Sequence, residues 1–282
     1  MIIELLDENG QPILGEDGQP ITAVTEDGGY YQFEDLEPAV YRLHEIQPTG
    51  VDDGPELLGS VGGTIPSNDM FQLTLQDTDA VDYIFAELGQ ELSSGDTAGI
   101  GFWQNKHGQQ LIKQGGAALA EWLTSNFGNV FGDAITGDHA TGDAVAVFYR
   151  EQLFKHKAQK GSGPAKVDCE FMATALATFF TSRTLAGEVA ADYGFHVTDT
   201  GIGTKVVNVG DHGAAFGATN ESALTVMELL LATNGLTDMP DNLTGAAYIY
   251  DLDGDGIIDA DEMSLRTMTN EVYAAINEAG GI

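Results

Sequence analysis

The first 92 residues alternate between short apolar segments and polar turns, a pattern typical of antiparallel β-strands. The turns are rich in Asp, Asn and Gly, as at Asn9, Gly10, Asp53 and Gly54. Short strands at this spacing predict a small β-sandwich. The predicted strands span residues 2–6, 21–25, 30–33, 40–46, 71–75 and 81–86.

Beyond residue 98 the apolar residues recur every three or four positions, which is the period of an α-helix. Capping residues and glycines mark where these helices begin and end. The second part of the chain is therefore predicted to be mainly helical with a small hairpin. The predicted elements are helices beginning at Thr141 or Asp143 and at Asp168, a helix over about 221–233, a C-terminal helix after residue 262, and a hairpin of 195–198 and 205–209.

The charge distribution divides the chain at the same place. The 282 residues include 44 acidic and 11 basic side chains, and residues 1–97 hold 21 of the acids but a single base, Arg42. A polyanion repels phosphate backbones and anionic lipids, so neither nucleic acid nor membrane insertion is expected. Residues 155–166 hold a cluster of lysines, either a solvated helix end or a docking surface. We predict a β-domain at 1–92, a linker at 93–98 and a helical domain at 99–282.

An acidic segment at residues 251–262 has the spacing of an EF-hand calcium loop. Ca²⁺ prefers hard oxygen ligands, and Gly256 permits the sharp turn that wraps them round one point. The preceding residues 246–250 have a strand-like pattern and no second loop is evident, which favours a solitary, dockerin-like structural site with Ca²⁺ as cofactor. The predicted ligands are the carboxylates of Asp251, Asp253, Asp255, Asp259 and Glu262 and the backbone carbonyl of Ile257.

Three segments of the first part carry a family pattern: LDENG at 6–10, TEDGGYYQFEDLEP at 25–38 and YRLHEIQPTG at 41–50. They resemble the SdrD B-like (Cna protein B-type) domain, with Ala39 at a position where the family usually has Gly. The resemblance implies an immunoglobulin-like stalk module of secreted bacterial surface proteins, which is a mechanical spacer. Some relatives form an internal Lys–Asn isopeptide bond, but residues 1–97 contain no lysine.

Segments 101–112, 171–177, 193–198 and 201–217, with the tail at 275–280, resemble a C-terminal region that follows SdrD B-like domains in secreted proteins of environmental bacteria. This resemblance implies a location outside the cell and no particular activity. The SdrD B-like resemblance of the first domain implies a second calcium site at Asp7–Gly10 with Glu16, Asp17, Asp52 and Asp53. Solvated turns are the alternative.

The family usually begins one strand before the position of residues 2–6. We therefore expect this apolar segment to lie at an open sheet edge, which folded proteins rarely leave bare. Strand addition from another copy would cover the edge and propagate as a filament. Residues upstream in the same chain are the alternative source of the strand.

Catalytic chemistry finds little support in the residue pattern. Cys169, the single cysteine, lies on the apolar stripe of a predicted helix, where a core position is favoured over a nucleophile. The histidines lack zinc-ligand spacing. Phe102 and Trp103 are either core residues or a sugar-stacking platform.

These patterns predict a non-enzymatic structural protein stabilised by Ca²⁺. We expect it outside the cell, at the cell surface or in an extracellular fibre, as a homo-oligomer or filament, with surface polysaccharide as a further candidate partner. The alternative is a secreted polysaccharide-binding protein or hydrolase that uses the second domain.

Overall fold

A computed structural model describes residues 1–26, 29–48, 51–132, 134–155, 163–238 and 249–282. The chain forms two compact units, Met1–Gly89 and Gln90–Ile282. The first unit therefore ends at 89 rather than at the predicted 92. Residues 93–98, which we predicted as a linker, belong to the second unit, where Asp96, Thr97 and Ala98 are buried.

The first unit consists of antiparallel β-sheets. A five-stranded sheet has the order β2-β1-β3-β6-β5, and β4 and β7 form a separate pair. Both sheets contribute to one apolar cluster. In it, the ring centroids of Phe71 in the large sheet and Phe85 in the β4–β7 pair are 4.5 Å apart. The strands are β1 (Ile2–Leu6), β2 (Thr22–Val24), β3 (Val40–Ile46), β4 (Val51–Leu57), β5 (Thr64–Ser67), β6 (Met70–Thr74) and β7 (Ile84–Gly89).

The pattern predicts the central strands best. The bounds of β1 and β3 are confirmed, and β2, β6 and β7 overlap their predicted segments. Residues 30–33 are not a strand. Instead, Tyr31 and Phe33 pack against the core, and the Tyr31 hydroxyl donates to the Tyr83 carbonyl at 2.9 Å. Strands β4 and β5 were not predicted, because they are largely polar and lack the alternation of apolar residues that marks a strand.

The expectation of an open edge at β1 is wrong. Strand β1 lies inside the sheet, paired with β2 through Ile2 and Val24 and with β3 through Ile2 and Ile46. The physical reason is that residues 22–24 fold back along β1 and satisfy its second row of backbone groups. Strand addition from another copy at β1 is therefore excluded.

The second unit is mainly helical, as predicted, and is organised round α6. This helix is apolar on all sides and nearly all its residues are buried, which is typical of a central helix. The helices are α1 (Ile100–Gln104), α2 (Lys106–Gln114), α3 (Gly116–Asn126), α4 (Gly128–Phe131), α5 (Gly142–Val147), which continues as a π-helix (Phe148–Phe154), α6 (Val167–Thr181), α7 (Arg183–Ala186), α8 (Val226–Gly235) and α9 (Ala260–Ala279).

The predicted helix start at Thr141 is confirmed, whereas Asp168 lies within the first turn of α6, which begins at Val167. Thr141 caps α5 by accepting from the Ala144 amide at 3.2 Å. The predicted hairpin of 195–198 and 205–209 is wrong, because β8 (Val206–Asn208) pairs with β9 (Ala223–Thr225) instead. Phe195 is buried in the core, and Gly201–Thr204 forms a 3₁₀ turn. The predicted helix at 221–233 consequently begins later, at Val226, after a Thr225 cap.

Some predictions fall outside the described residues. These include most of the basic cluster, at 156–162, and positions 246–248 before the loop. Among the helices that the structure describes, none combines the length and the apolar character needed to cross a membrane.

A buried ion pair connects α6 to α9. Arg266, which has no exposed surface, donates to both oxygens of Asp168, at 3.1 and 2.7 Å. Its Nη1 also donates to the Ile249 carbonyl at 2.6 Å, and the Ile249 amide donates to Asp168 at 3.0 Å. The three residues form a closed network that fixes the start of the acidic loop against both helices.

Replacing Arg266 by Met is expected to lower the free energy of unfolding of the second unit by about 3–5 kcal/mol, because it leaves the Asp168 carboxylate without its buried partner. Both tryptophans of the chain, Trp103 and Trp122, lie in this unit. Urea denaturation followed by tryptophan fluorescence therefore measures the effect.

Arg183→Met is the matched control. The Arg183 side chain is 45% exposed and pairs with Glu188 and Asp199 at the surface. Exposed pairs contribute about 0–1 kcal/mol, so this variant is expected to resemble the wild type. Equal losses for the two arginine variants would contradict the anchoring role of Arg266.

Candidate metal centre

Loop 251–262 is shaped by its own carboxylates. Asp251 Oδ2 accepts from the Gly256 amide at 2.9 Å, and Asp255 Oδ1 accepts from the Ile257 amide at 2.7 Å. Gly254 and Gly256 have φ values of 69° and 78°, which side chains other than glycine rarely adopt. The chain therefore closes on itself over these residues, with Asp251 buried and Asp253 and Asp255 exposed.

Three of the six predicted ligands come together. Asp251, Asp253 and Asp255 each place a carboxylate oxygen within 4.8 Å of the other two. Asp251 is only 1% exposed, and its Oδ1 has no hydrogen-bond partner among the described residues. Burial raises the pKa of the Asp251 carboxyl, and the nearby charge of Glu262 raises it further.

An orphaned carboxylate oxygen of this kind is costly to bury unless a cation or a proton satisfies it. Three carboxylates around one point match the hard oxygen ligands that Ca²⁺ prefers, whereas soft metals select sulfur or imidazole. The residues present therefore fit a hard divalent cation at this position.

Glu262 and Asp259 close the loop at its far end. Glu262 accepts from the Leu252 amide at 2.7 Å and from the Asp259 amide at 2.8 Å, while Asp259 accepts from the Glu262 amide at 2.9 Å. This reciprocal capping box begins α9. Glu262 is 4% exposed and Ile257 is 65% exposed. Coordination by Ile257, Asp259 and Glu262 stays a prediction.

The loop begins on the rigid core of the second unit. Tyr250 is fully buried and has a φ of 59°, and its amide donates to Thr237 Oγ1 at 3.0 Å. Its hydroxyl donates to the Ala215 carbonyl, and the Asp251 carbonyl accepts from the Asp238 amide at 2.8 Å. A cation bound in the loop would thus be coupled to core packing.

Two residues considered for catalysis or sugar stacking lie in the core. Cys169 is 1% exposed, and burial raises the pKa of its thiol to about 12, so the thiolate needed for nucleophilic attack is disfavoured. Trp103 has no exposed surface. Its ring stacks on Phe180 with the ring centroids 6.0 Å apart, and its Nε1 donates to the Ala98 carbonyl at 3.1 Å. Trp103 cannot serve as an exposed sugar platform.

The structure brings together a second group of acids in the first unit, of which the sequence analysis named only Asp53. Asp53, Glu56 and Asp69 place carboxylate oxygens within 4.8 Å of one another. Beside them, burial raises the pKa of Glu45 to about 8, with further contributions from Glu87, Asp69 and Asp53. The overlooked signal was Glu45 itself, a charged residue at an inward-facing position of a strand. Asp7, which the resemblance implied as a ligand, accepts from the amides of Asn9 and Gln11 in its own turn, and its coordination of a cation stays a prediction.

Comparison with known proteins gives little guidance. The chain matches no family model and no solved structure. Part of it is similar to Colossin-A from Dictyostelium discoideum, with 32% identity over 82 residues, which is 27% of this chain and 1% of that protein. Because the chain spans about 1% of the length of this curated relative, the likeness assigns no family.

Removing Ca²⁺ is expected to lower the melting temperature of the second unit by a few degrees. Sites in extracellular modules bind with Kd on the order of 10⁻⁴–10⁻³ M, so millimolar Ca²⁺ would stabilise the fold by about 1–2 kcal/mol. Tryptophan fluorescence during heating, in Ca²⁺ and in excess chelator, measures the shift.

Asp251→Asn is expected to abolish this response, because it removes the buried charge. Asp211→Asn, at an exposed position away from the loop, is the control with the same change of charge and should keep the full response. Identical melting of the wild type with and without chelator would refute cation binding in the loop.

Proposed function

We propose that this protein is a non-enzymatic structural protein that acts outside the cell and is stabilised by Ca²⁺. The observation that carries the proposal is the unpartnered Asp251 Oδ1, buried beside the carboxylates of Asp253 and Asp255. Because Arg266 and Tyr250 connect this loop to the core, an ion held there would stabilise the whole helical unit.

The extracellular setting rests on the resemblances described above, and it would also supply enough Ca²⁺ to fill a weak site. The formal net charge of −33 keeps such a protein soluble and apart from anionic surfaces. We also propose, on the resemblances described above, that the first unit is an immunoglobulin-like SdrD B-like module and that loop 251–262 is of the EF-hand type.

Self-association is the second part of the proposal, at a surface other than β1. The pair β4–β7 turns three apolar side chains outward, Leu57, Ile84 and Leu88, with exposures of 52%, 47% and 54%. Apolar groups gathered on one sheet face favour contact with another protein surface. We propose a second copy of the chain as the partner of this face, on which the exposed Asp52 lies opposite Leu88 in the register.

Leu88→Lys is expected to shift the protein toward the monomer in sedimentation velocity at high concentration, because it places a charge in the apolar face. Val24→Lys, at a 65% exposed position of β2, is the matched control and should leave association unchanged. Negative-stain imaging of the wild type would show whether association produces discrete oligomers or fibres. A wild type that stays monomeric throughout contradicts this part of the proposal.

One observation favours polysaccharide binding as a second candidate function. A cavity of about 530 Å³ in the second unit is lined mainly by amide and cationic side chains, including Gln104, Gln110, Lys106, Lys113 and Arg150. Amides suit sugar hydroxyls, and Lys106 suits carboxylate or sulfate groups. Lys113 and Arg150 already pair with Asp143 at 2.7 Å and Glu151 at 2.8 Å, so an acidic sugar would compete with these carboxylates.

Titration with an acidic polysaccharide is expected to perturb this cavity and to weaken as salt is added. Lys106→Gln combined with Lys113→Gln should reduce the affinity by about tenfold or more, because charge-assisted contacts contribute about 1.5–3 kcal/mol each. Lys155→Gln with Arg183→Gln provides the same loss of charge at exposed positions away from the cavity. Equal binding by the two double variants would rule out the cavity as the site.

A further inference from the structure

The acids of the first unit are brought together by strand pairing. Asp53 of β4 lies directly opposite Glu87 of β7 in the antiparallel register. Like charges in this position destabilise a sheet. Glu87 follows Tyr83 and Phe85, both buried, at alternate positions of the chain, so it points to the same inner face.

A β-bulge adds a third acid on that face. In a regular strand, residues three positions apart point to opposite faces. The register shifts between Asp53 and Glu56, so Glu56 points to the same face as Asp53. Gly54 makes the bulge possible, because a Cβ at this position would lie 2.4 Å from the Ala86 carbonyl oxygen. The backbone is thus built to gather these carboxylates.

The turn between β5 and β6 supplies a fourth acid. Asp69 has a φ of 58°, and its amide donates to Glu56 Oε1 at 2.7 Å. This bond orders the turn beside β4. The carboxylates of Asp53, Glu56 and Asp69 consequently converge to within 4.8 Å.

Glu45 completes the group from the large sheet. It is 2% exposed and follows the core residues Tyr41 and Leu43 on the inner face of β3. Its Oε1 has no hydrogen-bond partner in the described ranges, and neither do the buried Asp69 Oδ1 and Glu87 Oε1. Three buried carboxylate oxygens around one cluster therefore lack a partner in the described part of the protein.

The first unit has no side chain that could neutralise these charges. Its only lysine or arginine is Arg42. The Arg42 Nε donates to Gln72 Oε1 at 3.0 Å, and His44, a neighbour of Glu45 in the chain, pairs with Glu4 at 3.0 Å. Compensation must come from bound protons or from a cation supplied by the solvent.

We propose that Glu45, Asp53, Glu56, Asp69 and Glu87 form a binding site for a hard divalent cation, Ca²⁺, that joins the two sheets of the first unit. Five carboxylates provide enough oxygens for the six to eight contacts that Ca²⁺ takes, with room for water. Mg²⁺ demands a stricter octahedral arrangement and keeps more of its waters, so a crowded set of carboxylates favours Ca²⁺. This site shares no residue with loop 251–262.

The test uses the full chain with the loop disabled by Asp251→Asn and Asp253→Asn. Calorimetric titration with Ca²⁺ is expected to show that this loop-deficient chain still binds one equivalent. Adding Glu45→Gln and Asp69→Asn should remove that equivalent. Adding Glu34→Gln and Asp77→Asn instead, at exposed positions of the same unit, is the matched control and should retain it.

Melting of the first unit provides the second measurement, followed by far-ultraviolet circular dichroism. In chelator, the Glu45→Gln and Asp69→Asn chain should melt no lower than the control, because repulsion is relieved. In millimolar Ca²⁺ the order should reverse, because the control alone gains stability. This reversal also shows that the variant folds.

Two results would overturn the proposal. One is a loop-deficient chain that binds no Ca²⁺ in the titration. The other is binding that persists unchanged after Glu45→Gln and Asp69→Asn. Asp53→Asn, at an exposed position, serves as the second variant and is expected to weaken binding without disturbing the fold. Failure here would leave the loop site standing, since that site is tested separately through Asp251.

Discussion

The fold depends on carboxylates that the chain cannot neutralise with its own basic residues. In the first 97 residues, 21 acids accompany one arginine, and the whole chain has 44 acids and 11 bases. Even so, each unit buries an acid almost completely, Asp251 at 1% exposure and Glu45 at 2%. Burying an unpaired carboxylate costs several kcal/mol, so the native state needs protons or cations from the solvent. A bound cation in each unit would therefore act as part of the folded structure.

The two clusters are built in different ways. In the second unit, the clustered acids come from five consecutive positions of one loop, and Arg266 and Tyr250 hold the start of that loop on the core. In the first unit, the acids come from three strands and one turn that are distant in sequence. A cation bound by the acids of the first unit would restrain four segments of the chain at once, as a crosslink does. With one cysteine, the chain cannot form an internal disulfide to do the same.

This difference explains why the sequence predicts the loop of the second unit but not the acidic cluster of the first unit. The spacing of the loop ligands is local, so 251–262 can be recognised without a fold, and β1 and β3 follow from simple alternation. The cluster at Glu45 depends on the pairing of Asp53 with Glu87, which are more than thirty positions apart, and no local pattern contains this pairing. The position of β1 inside the sheet depends on residues 22–24 folding back, and β8 pairs with β9 rather than with its predicted neighbour. In each case the local pattern predicts the element itself but does not identify the strand with which it pairs.

The inner face of β7 carries the buried aromatic Phe85 and, two positions later, the acidic Glu87, which an ordinary packed sheet would not turn inward. Glu87 points inward, while Ile84 and Leu88 on the same strand point outward and are about half exposed. A slip of one residue would exchange the two faces of β7 and bury the apolar side chains. Such a slip would remove Phe85 from the core, where its ring centroid lies 4.5 Å from that of Phe71. This contact therefore opposes the slip. A cation among the inward carboxylates would oppose it as well, because the slipped register would carry Glu87 away from the ion. Cation binding and strand register would then be two aspects of one equilibrium.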